Sequence, residues 1–363
     1  MVNHNILLKK LELYKCNKST TTWFRSYLSN RFQLVQLNNR IFSQSDVIKC
    51  GVPQGSILGP LLFLIFINDL PLTVGDTVHS TDLYADDTTI YDIQDDVNTL
   101  HSNLSDALSS LNTWCTENGM RVNVDKTKVM IITTNQKRRL LTKNNFSLHY
   151  DNCVLNETQC EKILGINFQN DLKWDSHVTA ICRKISSYLW LLSRIKDYVK
   201  LEYRILFYKA YIQPHLDYCS TLWGNTTAKN IRKLTRLQKR ACRIMLGRDY
   251  CNFESSLEIL NLQTFSQRVT FNQAVFMYKV VNNDLPDYIC EMFSKVDCLS
   301  SENYRLRSNM HSKFDIPMPH LEIYKNSLLY AGSMLWNNLP VQIKEASSIK
   351  QFKRLYLDSP GAS

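Results

Sequence analysis

Leu83-Tyr84-Ala85-Asp86-Asp87-Thr88-Thr89-Ile90-Tyr91 sets two adjacent carboxylates among apolar and β-forming residues. The stretch reads as two short strands around Asp86-Asp87. Successive side chains of a strand point to opposite faces, so a turn must bend here for both carboxylates to serve one site. Like charges on an apolar hairpin repel each other unless a cation offsets them. Mg2+ prefers oxygen ligands and commonly shares them with substrate phosphates. Two such ions stabilise the attacking and leaving oxygens of phosphoryl transfer. A solvated Asp-Asp turn is the alternative that this stretch alone leaves open.

Two further blocks flank it. Upstream, Gly51-Val52-Pro53-Gln54-Gly55-Ser56-Ile57-Leu58-Gly59-Pro60 reads as a loop entering an apolar helix from about Ile57 to Leu70. Gly55 permits close backbone approach, and Gln54 offers both a donor and an acceptor to a base or sugar. Downstream stands Gly119-Met120-Arg121-Val122-Asn123-Val124-Asp125-Lys126-Thr127-Lys128, where Lys126 suits a triphosphate. A helix-entry turn and a solvated lysine are the plain alternatives.

The rest of the first half is mixed. Residues 5–16 and 19–30 have helical spacing, Phe32 to Leu37 alternates like a strand, and Asn38-Asn39 is a turn signal. Val97, Leu100, Leu104, Leu108, Leu111 and Trp114 fall on one helical face, with Gly119 as a stop signal. Val129 to Ile132 is a buried-strand candidate, and residues 146–169 read as β-structure with a turn at Asp151-Asn152. The apolar run Leu61 to Ile67 reads as a buried core element, far short of the roughly 20 residues a bilayer span needs. After Trp174 the period is helical.

Charge is unevenly placed. The 363 residues carry 43 Lys+Arg and 33 Asp+Glu, a net of +10. Ile181 to Arg248 holds 15 basic against 3 acidic residues, so this one segment contains the whole excess. On a helical wheel Ile231, Leu234, Leu237, Ala241, Ile244 and Met245 take one side; Lys229, Arg232, Lys233, Arg236, Lys239, Arg240 and Arg243 take the other. Phosphate contact, a solvated face and an anionic membrane surface are three uses of such a helix. Hydrophobic residues at 44% and charged ones at 21% exclude a disordered chain.

Eleven cysteines show no CxxC spacing and read as small buried hydrophobes, and the start has no apolar signal core. The reading is intracellular, nucleus or cytoplasm, not secreted and without a transmembrane segment. Tyr188, Trp190, Tyr198, Tyr203, Tyr208, Tyr211, Tyr218 and Trp223 punctuate the basic region, more as core than as stacking platforms. His215 and Asp217 read as a helix-end hydrogen-bonding pair.

Taken together the blocks resemble the palm of reverse transcriptases, in particular those of non-LTR retrotransposons of the jockey-like kind. Val52-Pro53-Gln54-Gly55-Ser56 is similar to that family's template- and nucleotide-positioning motif, Tyr84-Ala85-Asp86-Asp87 to its catalytic box, and Gly119 to Lys128 to its lysine motif. Lys162-Ile163-Leu164-Gly165-Ile166 resembles its primer-grip hairpin. Gln213-Pro214-His215-Leu216-Asp217-Tyr218-Cys219 and Leu335-Trp336-Asn337-Asn338-Leu339-Pro340 resemble its carboxyl-terminal region.

The resemblance implies an α+β fold: a partial right-hand polymerase palm, then a mainly helical thumb and carboxyl-terminal region. The implied divisions are residues 1–172, 173–250 and 251–363. It implies Asp86 and Asp87 as metal ligands and catalytic carboxylates for Mg2+ or Mn2+. Gln54, Gly55, Ser56, Tyr84 and Lys126 would position nucleotide and template, and Leu164 and Gly165 would grip the primer. The basic helix would hold an RNA template and DNA primer, with deoxynucleoside triphosphates as substrates. The family's first catalytic Asp stands before a segment similar to Val2 to Leu8, and no Asp precedes Asp46 here. The expectation is a truncated reverse transcriptase, inactive alone, or a catalytically dead nucleic-acid-binding remnant.

Overall fold

A computed structural model describes residues 2–37, 41–75, 78–134, 137–139, 141, 146–294, 313–316, 318–319 and 321–359. The Asn38-Asn39 turn lies outside them. The chain is a mixture of helices and short strands, compatible with α+β, and divides into two units, Met1–Gln159 and Cys160–Ser363.

In the first unit, α1 (His4–Leu13) starts where the Asn3 side chain accepts from the N–H groups of Asn5 and Ile6. Asn17 caps α2 (Lys18–Leu28) in the same way, taking the N–H of Thr20 at 2.8 Å. Two nested antiparallel pairs follow: β1 (Phe32–Gln33) with β4 (Asp46–Val47), and β2 (Gln36–Leu37) with β3 (Ile41–Phe42). The single strand expected from Phe32 to Leu37 is thus two pieces. Phe32, Leu34, Val35 and Leu37 are all exposed, so neither face of the alternation is fixed by burial.

The apolar run forms α3 (Leu58–Ile67), followed by α4 (Leu70–Val74). Its expected full burial is corrected: Leu62, Phe66 and Ile67 are buried, whereas Leu61 and Leu64 are about half exposed. A helix with neighbours on one side buries only the stripe facing them. The hairpin β5 (Ser80–Tyr84) and β6 (Asp87–Tyr91) precedes α5 (Val97–Glu117), which Asp96 caps through Thr99 N–H at 2.8 Å. Ala107, Leu111 and Trp114 of α5 join Leu7, Leu11, Leu62 and Phe66 in one core. The buried strand expected at Val129 to Ile132 is also corrected. Only β7 (Lys128–Val129) forms, half-buried at best, and Ile132 is exposed, because its parallel partner β10 (Asn156–Glu157) offers two residues of pairing. Between them β8 (His149–Tyr150) and β9 (Cys153–Val154) turn at Asp151-Asn152, both with positive φ, as a two-residue hairpin loop prefers.

The second unit opens with the hairpin β11 (Cys160–Ile163) and β12 (Ile166–Gln169), then becomes helical. Helix α6 (Asp175–Ile195) is followed by α7 (Leu201–Phe207), a π-helical turn at Tyr208–Ile212, and the short α8 (Gln213–Asp217) and α9 (Ser220–Trp223). Next come α10 (Ala228–Leu246), α11 (Phe253–Leu260) and α12 (Phe265–Val281). One core holds Ile185, Leu189, Trp223, Leu234 and Met245; another, toward the carboxyl end, centres on Met277, Trp336 and Phe352.

Two expectations about side chains fail here. Of the aromatics assigned to the core, Tyr208 and Trp223 are buried, but Trp190, Tyr198, Tyr203, Tyr211 and Tyr218 are exposed. Among the ten described cysteines only Cys115 and Cys242 are buried. Helical spacing argued for burial of the aromatics and residue type for that of the cysteines, whereas the face of the element each occupies decides it. Among the described residues no helix is long and apolar enough to cross a membrane.

Candidate functional site

The carboxylates sit at the tip of the β5–β6 hairpin. Tyr84 pairs with Asp87 and Leu83 with Thr88, leaving Ala85 and Asp86 as a two-residue turn. Ala85 has φ +53°, a left-handed conformation that a Cβ disfavours. Leu83 and Ile90 pack against the core of the unit, while Tyr84, Asp86 and Asp87 are exposed. The hairpin is therefore anchored on one face and presents its charge on the other. Asp82 lies two residues before Tyr84 on the exposed face, where strand alternation puts it. The period-2 spacing of Asp82 from Tyr84 is the signal in the sequence that puts both on one face.

The flanking blocks are rooted in the same core. Val52, Leu83, Ile90, Val122 and Val124 all pack against it. Gln54 and Gly55 are exposed, and Gly55 has φ +77° with open space around it. Ser56 is engaged locally: its Oγ donates to Pro53 O at 2.7 Å and accepts from Gly59 N at 3.0 Å. Lys126 is exposed, and its backbone N–H donates to Asn123 O at 3.1 Å. No hydrogen bond or ion pair among the described residues joins Gln54, Ser56 or Lys126 to Asp86 or Asp87.

A metal centre can be tested on this donor set. Among the described residues no group of three or more His, Cys, Asp or Glu side chains is placed to hold a metal ion. Asp86 and Asp87 supply two adjacent carboxylates, which falls short of what a two-metal centre needs.

Leu164 and Gly165 form the turn of the β11–β12 hairpin between the paired Ile163 and Ile166, with φ +46° and +88°. Asn167 N donates to Nδ1 of His177 on α6 at 3.3 Å. His177 is buried, its Nε2 has no hydrogen-bond partner among the described residues, and burial lowers its pKa to about 4. Tyr218 Oη donates to Leu164 O at 2.7 Å.

The basic helix is α10. Thr227 caps it through Asn230 N–H at 3.4 Å, and Gly247, φ +61°, ends it. Leu234, Ala241 and Met245 are buried, whereas Lys229, Arg232, Arg236, Arg240 and Arg243 are exposed and Lys233 and Lys239 half-buried. Lys239 lies over Phe253 at 5.2 Å and Arg243 over Tyr250 at 5.3 Å. These contacts leave the charges near solvent while their stems cover apolar surface. Gln238 on the inner face is a feature the wheel did not register. It donates to Tyr208 Oη and Gln263 O, both at 3.2 Å, and accepts from Phe265 N at 2.8 Å.

Residues 1–168 match the family model for reverse transcriptase (RNA-dependent DNA polymerase). They are a reverse transcriptase domain. The match takes in the Tyr84–Asp87 hairpin, the Gln54 loop, the Lys126 segment and the Leu164-Gly165 turn. The chain is also 28% identical over 258 residues, 68% of its length, to the probable RNA-directed DNA polymerase from transposon BS of Drosophila melanogaster. To the probable RNA-directed DNA polymerase from transposon X-element of the same species it is 25% identical over 231 residues, 61% of its length. To the RNA-directed DNA polymerase from mobile element jockey it is 26% identical over 209 residues, 55% of its length. The matched segments make up 28%, 24% and 22% of those relatives, so the chain spans about a quarter of each. These matches and the domain support the non-LTR reverse transcriptase read from the sequence motifs.

Proposed function

We propose that this chain is the part of a non-LTR retrotransposon reverse transcriptase that binds an RNA template paired with a DNA primer, and that the β5–β6 turn is its catalytic tip. The observation that carries the reading is the exposed Asp86-Asp87 pair at the tip of a hairpin inside a reverse transcriptase domain. On this reading residues 1–172, 173–250 and 251–363 correspond to partial palm, thumb and carboxyl-terminal region. Asp86 and Asp87 are the metal-binding carboxylates, for Mg2+ or Mn2+ when bound. Gln54, Gly55, Ser56, Tyr84 and Lys126 serve nucleotide and template. Leu164 and Gly165 touch the primer strand, and the exposed face of α10 holds phosphates. Nucleotide addition in this family is carried by divalent metal ions, for which Asp86 and Asp87 supply two carboxylates.

That incomplete donor set favours a second reading, a binding remnant without catalysis. Primer extension and template–primer binding, measured together, separate the two. Binding with Mg2+-dependent extension that is lost in Asp86→Asn supports the polymerase; salt-sensitive binding without extension supports the remnant. Absence of binding at low salt contradicts both.

A further inference from the structure

The Gln213 to Cys219 block has no part in the reading so far, and it ends beside the hairpin turn. Tyr218 is 53% exposed, yet it is held on every side its backbone offers. Its N–H donates to Pro214 O at 3.0 Å, and its carbonyl accepts from Nε1 of the fully buried Trp223 at 2.8 Å. The preceding residue, Asp217, is clamped by Arg268 of α12, whose Nε and a terminal nitrogen each donate to a carboxylate oxygen at 2.6 Å. Such a two-point pair fixes orientation as well as distance. At the other end, Oη reaches Leu164 O at 2.7 Å. The Gly165 Cα lies against the Tyr218 ring, where an added Cβ would sit in ordinary contact at 3.4 Å, and the φ of +88° is what favours glycine there.

We propose that Tyr218 is a positioning residue: a strut from the helical core to the Leu164-Gly165 turn, which fixes where that turn stands against the primer strand. The proposal rests on the primer-strand role given to the turn above. It also gives α12, in the carboxyl-terminal region, a task, because Arg268 holds the base of the strut through Asp217. A two-residue turn on a two-stranded ribbon is marginal by itself and needs outside support.

The test uses the whole chain with Tyr218→Phe, which keeps the ring, and Asp217→Asn, which loosens the base. Hydrogen exchange of residues 160–170 should quicken by roughly fivefold in Tyr218→Phe, the scale of one lost hydrogen bond. Tyr198→Phe, at an 88% exposed tyrosine, should leave it unchanged. A fluorescent base at the primer 3′ end, on an RNA template, should lose its bound-state signal in Tyr218→Phe and Asp217→Asn. Overall affinity should stay within about twofold, because the basic helix supplies most of it. Unchanged exchange in Tyr218→Phe would overturn the strut, and quickened exchange with an unchanged primer-end signal would overturn the positioning role. If the unaltered chain bound no template–primer, the functional reading and the positioning role would both fall, while the exchange data alone would still report the strut.

Discussion

Lys10 Nζ lies 2.7 Å from Asp69 Oδ1 inside the reverse transcriptase domain, and Asp69 Oδ1 also accepts from Trp114 Nε1 at 3.1 Å. The ammonium further donates to Phe66 O at 2.7 Å and stands 4.7 Å and 4.9 Å from the ring centres of Phe66 and Trp114. Three elements, α1, α5 and the α3–α4 junction, meet on this buried cation. Removing one partner of a buried pair leaves the other uncompensated. Asp69→Ala is expected to destabilise the first unit by about 2 kcal/mol, below the range for fully buried pairs because the Asp69 side chain is 46% exposed. The midpoint of the unfolding transition reported by exchange of α1 and α5 amides checks it.

Acid should weaken the second unit through His177. In the folded chain burial lowers its pKa to about 4, against about 6.5 when unfolded. Between those values the unfolded chain binds the extra proton, so stability falls as pH falls and is fully present only above about 6.5. The contribution at stake is on the order of 3 kcal/mol. Chemical denaturation of the intact chain from pH 7 to 4 should show the loss, and His177→Gln should flatten it. The β11–β12 hairpin should loosen only near pH 4, where the folded imidazole itself takes up the proton and Nδ1 no longer accepts from Asn167 N.

Charge reversal on α10 should act through salt. Replacing Arg232, Arg236 and Arg240 with Glu removes three exposed cations from one face. The slope of log affinity against log salt for an RNA–DNA duplex should shrink by about 3, and binding at moderate salt should fall by tenfold or more. Anisotropy titrations across salt concentrations measure both.

Gly59 is the tight spot of the Gln54 loop. A Cβ there would stand 2.6 Å from Pro53 O and 3.0 Å from Ser56 Oγ, so backbone has to move. Gly59→Ala is expected to cost about 1–3 kcal/mol and to break the Ser56 hydrogen bonds that close the loop. Exchange of residues 52–59 and thermal melting read this out.

Much of this architecture was legible because it repeats. The α5 and α10 stripes have a regular helical period, and the Leu83 to Tyr91 stretch shows its hairpin, although the turn falls at Ala85-Asp86, one residue before the expected Asp86-Asp87, with Asp87 paired to Tyr84. The short strands were poorly legible, since pairing of two or three residues is decided by the partner and not by the local pattern. Val129 to Ile132 has the composition of a buried strand but lacks a neighbour to bury it. The links that organise the second unit run over long separations: Tyr218 to Leu164 spans 54 residues and Arg268 to Asp217 spans 51. No periodicity announces such contacts. Residue type singled out Asp86 and Asp87, while the tie from Tyr218 to the Leu164-Gly165 turn became visible only once the helices had placed it.

A metal-binding catalytic tip at the Ala85-Asp86 turn requires the intact chain to hold a divalent ion there. The most direct measurement is Mn2+ binding by the intact chain, followed by electron paramagnetic resonance with and without RNA template, DNA primer and a deoxynucleoside triphosphate. Weak Mn2+ binding is expected, tightening when nucleic acid and nucleotide supply further oxygens, and lost in Asp86→Asn and Asp87→Asn. Mn2+ binding of equal strength in both variants and in the unaltered chain would contradict it.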